Sequence, residues 1–234
     1  WETGNPSFLI DVLKSKPRFI PELENIVLNE EALGAFDVEI IDLAALLWQT
    51  GYLTFDKKIT ILNRTSYQLK VPNLEVQYSL NTLFFEFLTD LNGDAALRQN
   101  SVSNSLLAGD LSAFEAQLRS LFAGIPYNNY VKNNLAKFEG YYASVVYAFL
   151  ASLGFQIRAE DTTNRGRIDM TLIGPESIFI LEFKVDMPPE KTIDSIKSKK
   201  YHEKYTGQGK EVYLVGIAFD STKRNILSFE HEML

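Results

Sequence analysis

The chain has 234 residues, a formal net charge of −7 at pH 7 and no cysteine. The length suits one large domain or two small ones, each with its own core. The absence of cysteine excludes disulfides, thiolate zinc sites and a cysteine nucleophile, and it fits a reducing compartment, so the cytoplasm is the expected location. The negative charge argues against a protein that coats nucleic acid non-specifically, but it is compatible with an enzyme that has a local basic groove.

The start of the chain predicts that it is part of a longer protein. It begins with Trp1 rather than Met, and the charged-then-apolar layout of a signal peptide is missing. Residues 140–157 carry no charge but are interrupted by Gly154. That segment is too short and too polar for a membrane span, so we expect a buried helix followed by a strand.

Residues 1–72 are predicted to form a winged-helix-like α+β domain. A short helix is expected over 6–14, and an apolar helix is expected to be capped by Asp42 and ended by Gly51. Winged helices either bind DNA or link other domains, and the absence of basic residues at the helix end favours a linker. The predicted hairpin has strands at 52–55 and 59–62 around a turn at 56–58, with a possible third strand at 67–69.

Residues 73–128 are predicted to be a helical spacer. One long helix is expected to begin after Asn73, with Glu75 in its first turn, and a second is expected to run from Asp110 to Gly124. Their apolar positions follow helical spacing, which is typical of core faces.

Residues 129–234 are predicted to form an α/β domain with a mixed sheet flanked by helices. The pattern predicts a helix over 138–150, a strand over 155–159 and a polar turn over 160–166. It then predicts two strands at 167–172 and 178–185, a lysine-rich helix over 194–205, and two strands at 211–219 and 225–230.

Three charged residues lie within the two central strands of this domain. Glu182 and Lys184 share one face of a strand, because side chains two residues apart point the same way. Asp169 can join them if the two strands pair. Such buried charge is costly unless something compensates it, and Mg²⁺ or Mn²⁺, which prefer oxygen ligands, would do so. The alternative is a simple salt bridge between Glu182 and Lys184 on an exposed strand face.

The order of Glu139, Ile168-Asp169 and Glu182-Phe183-Lys184 resembles the signature of the PD-(D/E)xK nuclease superfamily. The resemblance extends to segments 138–142, 159–169, 200–205 and 215–219. Together these are similar to the C-terminal nuclease-like domain of prokaryotic proteins that begin with an AAA-ATPase-like domain. Segments 49–54 and 72–76 resemble the region between those two domains. The resemblance implies a restriction-endonuclease-like fold and an ATPase-like domain that precedes this chain.

The resemblance also implies residue roles. Asp169 and Glu182 would be metal ligands, the backbone carbonyl of Phe183 would complete the set, and Lys184 would be the catalytic lysine. Glu139 would reach the metal directly or through water. Two positions depart from the pattern: Ile168 replaces the proline of the superfamily signature, and Ser195 replaces an expected glutamine.

A basic surface beside these acids is the expected nucleic-acid contact. Lys199 and Lys210, in contrast, are interpreted as solvated lysines. The residues expected to line the groove are Arg165, Arg167, Lys197, Lys200, Tyr201 and Lys204.

The predicted function is therefore a Mg²⁺- or Mn²⁺-dependent nuclease that hydrolyses phosphodiester bonds, with DNA expected rather than RNA and no membrane partner. One alternative is a catalytically inactive nuclease fold that serves as a binding or interaction module. Another is a transcription regulator in which residues 1–75 bind duplex DNA.

Overall fold

The computed structural model describes residues 26–34, 43–91, 95–127, 139–188 and 190–234. The predicted helix over 6–14, the predicted cap Asp42 and the predicted helix start at Phe138 lie outside these ranges. The helices and strands, in chain order, are β1 (Val27–Asn29), α1 (Glu30–Gly34), α2 (Leu43–Gln49), β2 (Thr54–Ile61), β3 (Arg64–Lys70), α3 (Leu74–Thr89), α4 (Ala95–Leu107), α5 (Leu111–Gly124), α6 (Glu139–Ser152), β4 (Gln156–Thr163), β5 (Gly166–Ile173), β6 (Ser177–Val185), α7 (Glu190–Lys199), a 3₁₀ turn (Tyr201–Lys204), β7 (Glu211–Asp220) and β8 (Asn225–Met233).

The N-terminal sheet is three-stranded, with the order β1-β3-β2. The predicted turn at 56–58 is wrong, because β2 runs straight through it and reverses only after Ile61. Asp56 is instead the extra residue of a bulge, since Phe55 pairs with Leu69 and Lys57 pairs with Gln68. Bulges tolerate a polar residue inside a strand, which explains the misplaced turn. The predicted end of the preceding helix is confirmed: α2 stops at Gln49, and Gly51 has a φ of +82°.

The helices of the spacer begin where the sequence predicts. Asn73 caps α3 by accepting a hydrogen bond from the Val76 N–H at 2.9 Å. Asp110 caps α5 in the same way by accepting from the Ala113 N–H at 2.9 Å. Each side chain satisfies one backbone donor that the first helical turn leaves without a partner. Helix α4, which lies between them, was not predicted.

The predicted mixed α/β fold of the C-terminal part is confirmed. Its five strands lie in the order β4-β5-β6-β7-β8, with β6 and β7 parallel and the other neighbours antiparallel. The sheet is flanked by helices, an arrangement consistent with a restriction-endonuclease-like fold.

Two cores lie on the two faces of this sheet. The main core packs against α6, which is buried on all sides from Tyr141 to Ser152. The same cluster includes residues of α2, α3 and α5, such as Leu47, Phe84 and Phe114, so one apolar core extends across the predicted 72/73 and 128/129 boundaries. The second core is smaller and lies on the side of α7 and the 3₁₀ turn. It consists of Ile168, Ile178, Ile180, Ile196, Tyr201, Tyr205, Val212 and Leu214.

Two predicted boundaries near the site need correction. Strand β4 continues through the predicted polar turn as far as Thr163, because Asp161 is buried and bonded to side chains from other elements. The lysine-rich helix is two elements: α7 ends at Lys199, and Lys200 adopts a left-handed conformation with a φ of +50° before the 3₁₀ turn.

Among the described residues, no helix is both long and apolar enough to span a bilayer. The uncharged segment after residue 139 is the buried helix α6 and the start of β4, as the sequence predicts.

Candidate active site

The site lies where β5 and β6 separate. Their antiparallel pairing ends at Met170 and Leu181. Beyond that pair, the Phe183 N–H donates a hydrogen bond to the Asp169 Oδ2 at 2.8 Å. The Asp169 side chain thus replaces a backbone acceptor at the fork, which fixes its carboxylate beside β6.

A local break in strand alternation places Asp169 at this fork. The ladder between β4 and β5 pairs Ala159 with Met170 and Asp161 with Ile168, omitting the intervening pair. On β4 the intervening residue is Glu160, whose φ is +52°. As a result, Met170 belongs to the main core, whereas Ile168 belongs to the second core on the opposite face. Asp169 lies at the crossover, where side chains change faces.

Lys184 is the centre of the charged cluster. Its Nζ lies 3.4 Å from Glu182 Oε1, 3.8 Å from Asp169 Oδ2 and 3.8 Å from Glu139 Oε1. It also donates a hydrogen bond to the Phe183 backbone oxygen at 2.6 Å. The structure therefore brings together all four side chains, and the carbonyl, that the sequence predicts for the site.

Glu182 is the most buried member of the cluster, with a side chain that is 3% exposed. Its Oε1 faces Lys184, while its buried Oε2 has no hydrogen-bond partner among the described residues. A buried carboxylate oxygen without a donor is unfavourable, so this atom marks a place where a ligand would stabilise the protein.

The carboxylates are electrostatically strained. Burial, followed by repulsion from Asp169, raises the pKa of Glu182, and the nearby lysines only partly oppose this shift. Burial also raises the pKa of Glu139, against the opposing effect of Lys184. One lysine at the centre therefore does not fully compensate the acids around it.

Two site residues on α7 were not assigned from the sequence. Ser195 Oγ donates a hydrogen bond to Glu182 Oε1 at 3.3 Å, and Lys199 Nζ lies 3.7 Å from the same oxygen. Lys199, which was interpreted as a solvated lysine, has a side chain that is 42% exposed, and its ammonium also lies beside Glu182 of the cluster. A spacing signal was available, because Lys199 follows the buried Ile196 by three residues, as on one face of a helix.

The donor set fits a hard divalent cation in its chemistry. Asp169, Glu182 and the Phe183 carbonyl offer only oxygen, and Glu182 contributes the unpartnered Oε2. Within the described ranges, however, no three His, Asp or Glu side chains are already arranged to hold a metal ion. Instead, the Lys184 ammonium lies between the carboxylates of Glu139, Asp169 and Glu182. A cation at Asp169 and Glu182 would require this ammonium to shift.

Most of the residues predicted to contact nucleic acid form ion pairs with acidic side chains. Arg165 and Lys200 both lie near Glu203, at 3.3 and 3.9 Å. Tyr201 is only 1% exposed, and its hydroxyl donates to the Arg167 backbone oxygen, so most of its side chain belongs to the second core. Three further ion pairs complete the set: Arg167 with Glu160, Lys197 with Glu232, and Lys204 with Asp161.

Two of the predicted basic residues, Lys200 and Lys204, line a surface cavity. It has a volume of about 410 Å³ and opens beside the turn between β4 and β5. Its lining consists of Thr162, Thr163, Asn164, Lys200, Tyr201, Glu203 and Lys204. Four of the predicted contact residues thus lie at or next to one depression, but each charged one has an acidic neighbour.

Comparisons with known proteins show that the segment containing the site is similar to a known superfamily. Residues 137–229 match the family described as the PD-(D/E)XK nuclease superfamily, and this segment contains the whole charged cluster. The chain is also 37% identical over 238 aligned residues to an "Uncharacterized protein in vnfD 5'region" from Azotobacter chroococcum mcd 1. It spans 46% of the length of that relative, which is therefore about twice as long as the chain. No solved structure matches the chain.

Proposed function

We propose that the C-terminal part of this chain is a Mg²⁺- or Mn²⁺-dependent nuclease that hydrolyses phosphodiester bonds, with DNA as its substrate. The observation that carries the proposal is the convergence of Glu139, Asp169, Glu182 and the Phe183 carbonyl on Lys184. The superfamily match over residues 137–229 covers the same segment.

Asp169 and Glu182, with the Phe183 carbonyl, are the groups that would hold the cation, and Glu139 would support them directly or through water. A divalent cation supplies positive charge to the phosphate oxygens and lowers the pKa of a coordinated water. The hydrogen bond from the Phe183 N–H orients the Asp169 carboxylate, which limits its movement when a ligand arrives.

Lys184 is the group we assign to the reacting phosphate. Its ammonium lies within 3.8 Å of three carboxylate oxygens, and its N–H donors can turn towards a phosphate oxygen. An ammonium held close to the phosphate oxygens on which negative charge develops stabilises the transition state of phosphoryl transfer.

The proposal extends to the wider protein. The Azotobacter relative is about twice as long as this chain, which is compatible with a further domain beside the nuclease. We infer that this domain is ATPase-like and that the nuclease acts in the cytoplasm. The winged-helix-like and helical segments before residue 129 would then connect the two activities.

The test is a cleavage assay on linear, nicked and circular DNA with Mg²⁺, with Mn²⁺ and with EDTA. The wild type should cleave with either metal. Asp169→Ala and Lys184→Ala should each lower the rate by at least about a hundredfold, as loss of a group that stabilises the transition state does.

Matched controls are Asp56→Ala and Lys58→Ala, which change the same residue types on the exposed strand β2. Both should cleave at the wild-type rate. Cleavage that survives Asp169→Ala and Lys184→Ala would refute the assignment.

The inactive-module alternative makes a different prediction. In that case calorimetry should detect no Mn²⁺ binding up to about 1 mM, which corresponds to roughly −4 kcal/mol, and no DNA substrate should be cleaved. Mn²⁺ binding that disappears in Asp169→Ala would favour the nuclease.

A further inference from the structure

Helix α7 delivers a second lysine to the charged cluster. Lys199 Nζ lies 3.7 Å from Glu182 Oε1, and Glu182 is its one carboxylate neighbour at ion-pair distance among the described residues. The ammonium also lies 5.3 Å from the centroid of the Tyr201 ring, which favours a cation there. The helix ends immediately afterwards, at the left-handed Lys200.

The two lysines of the cluster differ in how many acceptors they already have. Lys184 is shared among Glu139, Asp169, Glu182 and the Phe183 carbonyl, and its side chain is 21% exposed. Lys199 has one carboxylate at ion-pair distance among the described residues, and its side chain is 42% exposed. An ammonium has three N–H donors, and this exposure leaves the Lys199 ammonium accessible to a ligand at the rim of the site.

The net charge of the cluster indicates a role for the Lys199 ammonium. The three carboxylates and two ammonium groups of the cluster leave one net negative charge. A divalent cation would change this to one net positive charge, which attracts the single negative charge of a phosphodiester. Without Lys199 the same loaded site would be neutral. Because Coulomb attraction is strong in a partly buried site, the extra positive charge of Lys199 strengthens the attraction between the loaded site and a phosphate.

We propose that Lys199 is a phosphate-binding residue that contacts a backbone phosphate of the nucleic acid next to the bond that is cut. Ser195 supports this role: it lies four residues earlier on the same face of α7 and holds Glu182 Oε1 independently of the lysine. Glu182 therefore keeps a donor when Lys199 turns to the substrate. The inference rests on the proposed nuclease function.

Lys199 differs in this respect from Lys197 of the same helix. Lys197 forms its ion pair with Glu232 of β8, away from the cluster. The position of the ammonium, rather than the number of lysines on the helix, therefore assigns the contact to Lys199.

The test is equilibrium binding of a fluorescein-labelled DNA duplex of about 20 base pairs, followed by anisotropy. Ca²⁺ is added because it is an oxygen-seeking cation that neutralises the carboxylates. A gel run afterwards checks that the duplex is intact. Lys199→Met should weaken binding by about tenfold, the usual effect of losing a charged hydrogen bond.

The salt dependence separates a phosphate contact from a structural effect. In Lys199→Met the slope of log K against log salt should become shallower by about 0.9, the value for one lost phosphate contact on duplex DNA. Lys199→Arg keeps the charge and should bind within about threefold of the wild type. Lys58→Met, on the exposed strand β2, should change neither affinity nor slope.

The outcomes also separate this proposal from the nuclease function. A protein that never cleaves, but whose salt slope becomes shallower as expected in Lys199→Met, would refute the nuclease and leave only the phosphate contact of Lys199 supported. A wild type that cleaves, with an unchanged slope in Lys199→Met, would refute the role of Lys199 alone. An Arg variant as weak as the Met variant would also refute it, as would a wild type that does not bind the duplex.

Discussion

Lys184→Met tests whether one ammonium holds the acidic cluster together in the absence of a metal. Lys184 Nζ lies 3.4 to 3.8 Å from three carboxylate oxygens. Removing one partner of a buried pair costs about 3–5 kcal/mol, because the other charge stays buried. That figure is an upper bound for Glu182, because its side chain is 3% exposed but keeps Lys199 at 3.7 Å and the hydrogen bond from Ser195.

The other two acids add little to this estimate. The Glu139 side chain is 45% exposed, so water screens its interaction and it is worth under about 1 kcal/mol. Asp169 keeps its hydrogen bond from the Phe183 N–H. Because all three acids share one lysine, their contributions do not add. We therefore expect Lys184→Met to lower the free energy of unfolding by about 3 kcal/mol near pH 8.

The pH dependence identifies the cause as charge. The pKa of Glu182 is already raised by burial, and loss of Lys184 raises it further while the unfolded-state value stays the same. Between the unfolded and folded pKa values the native state binds more protons, so the free energy of unfolding falls as pH rises through that window. The penalty should therefore be larger at pH 8 than at pH 5, because a carboxyl of raised pKa takes up its proton more readily as the pH falls.

Urea unfolding at both pH values measures the penalty. Lys58→Met, which changes an exposed lysine on β2, should stay within about 0.5 kcal/mol of the wild type. A penalty of the same size at both pH values would show that Lys184 acts through packing, and one under about 0.5 kcal/mol would refute the counter-ion role.

Four further substitutions test other parts of the structure. Gly216→Ala should lower the free energy of unfolding by about 1–3 kcal/mol in a thermal melt, because a Cβ there would lie 2.9 Å from the backbone nitrogen of Ile193. Asp161→Ala should cost about 3–5 kcal/mol in urea, since this buried carboxylate accepts bonds from three side chains; a cost under about 1 kcal/mol would contradict that role. Asn73→Ala should cost about 1 kcal/mol by loss of the α3 cap, and an unchanged urea midpoint would show that the cap is dispensable. Glu182→Gln should flatten the decline of unfolding free energy with rising pH, and an unchanged slope would place the titration elsewhere.

Local periodicity was sufficient to predict that Asp169, Glu182 and Lys184 lie close together. Glu182 and Lys184 share a strand face because of the two-residue period of β structure, and Asp169 joins them because β5 and β6 form a hairpin. These relations span few residues, so they can be inferred from spacing. The precise position of Asp169 depends on the interrupted pairing of β4 with β5 at Glu160, which has a positive φ. No pattern in the sequence indicates this interruption.

The misplaced turns share one physical cause. Asp56 and Asp161 are polar residues inside strands, and both were interpreted as part of turns. Asp56 is accommodated by a bulge and an ion pair with Lys70 at 2.9 Å. Asp161 is accommodated by donors that come from 10 to 44 residues away in sequence. Compensation by distant partners overrides local propensity, and the local pattern does not contain those partners.

The contribution of α7 could not be predicted because it depends on how closely this helix approaches the sheet. Gly216 on β7 has no side chain, and a Cβ there would meet Thr192 and Ile193. This close packing brings Ser195 and Lys199 to Glu182. Sequence spacing places these two residues on one helical face, but it does not tell which face meets the acids.

The charged cluster is the part of the described structure that departs most from the rules for stability. The strands around it are buried and apolar, with Phe183 and Ile180 both fully enclosed. Within this core, the Glu182 Oε2 has no hydrogen-bond partner among the described residues, and the pKa values of Glu139 and Glu182 are raised. The pairing of β5 with β6 also ends beside these acids. An ion pair kept only for stability would be expected to satisfy its oxygens, since replacement by apolar residues is often neutral or favourable. Departures of this kind from the rules for stability are typical of functional sites. In this chain they lie within the segment that matches the superfamily.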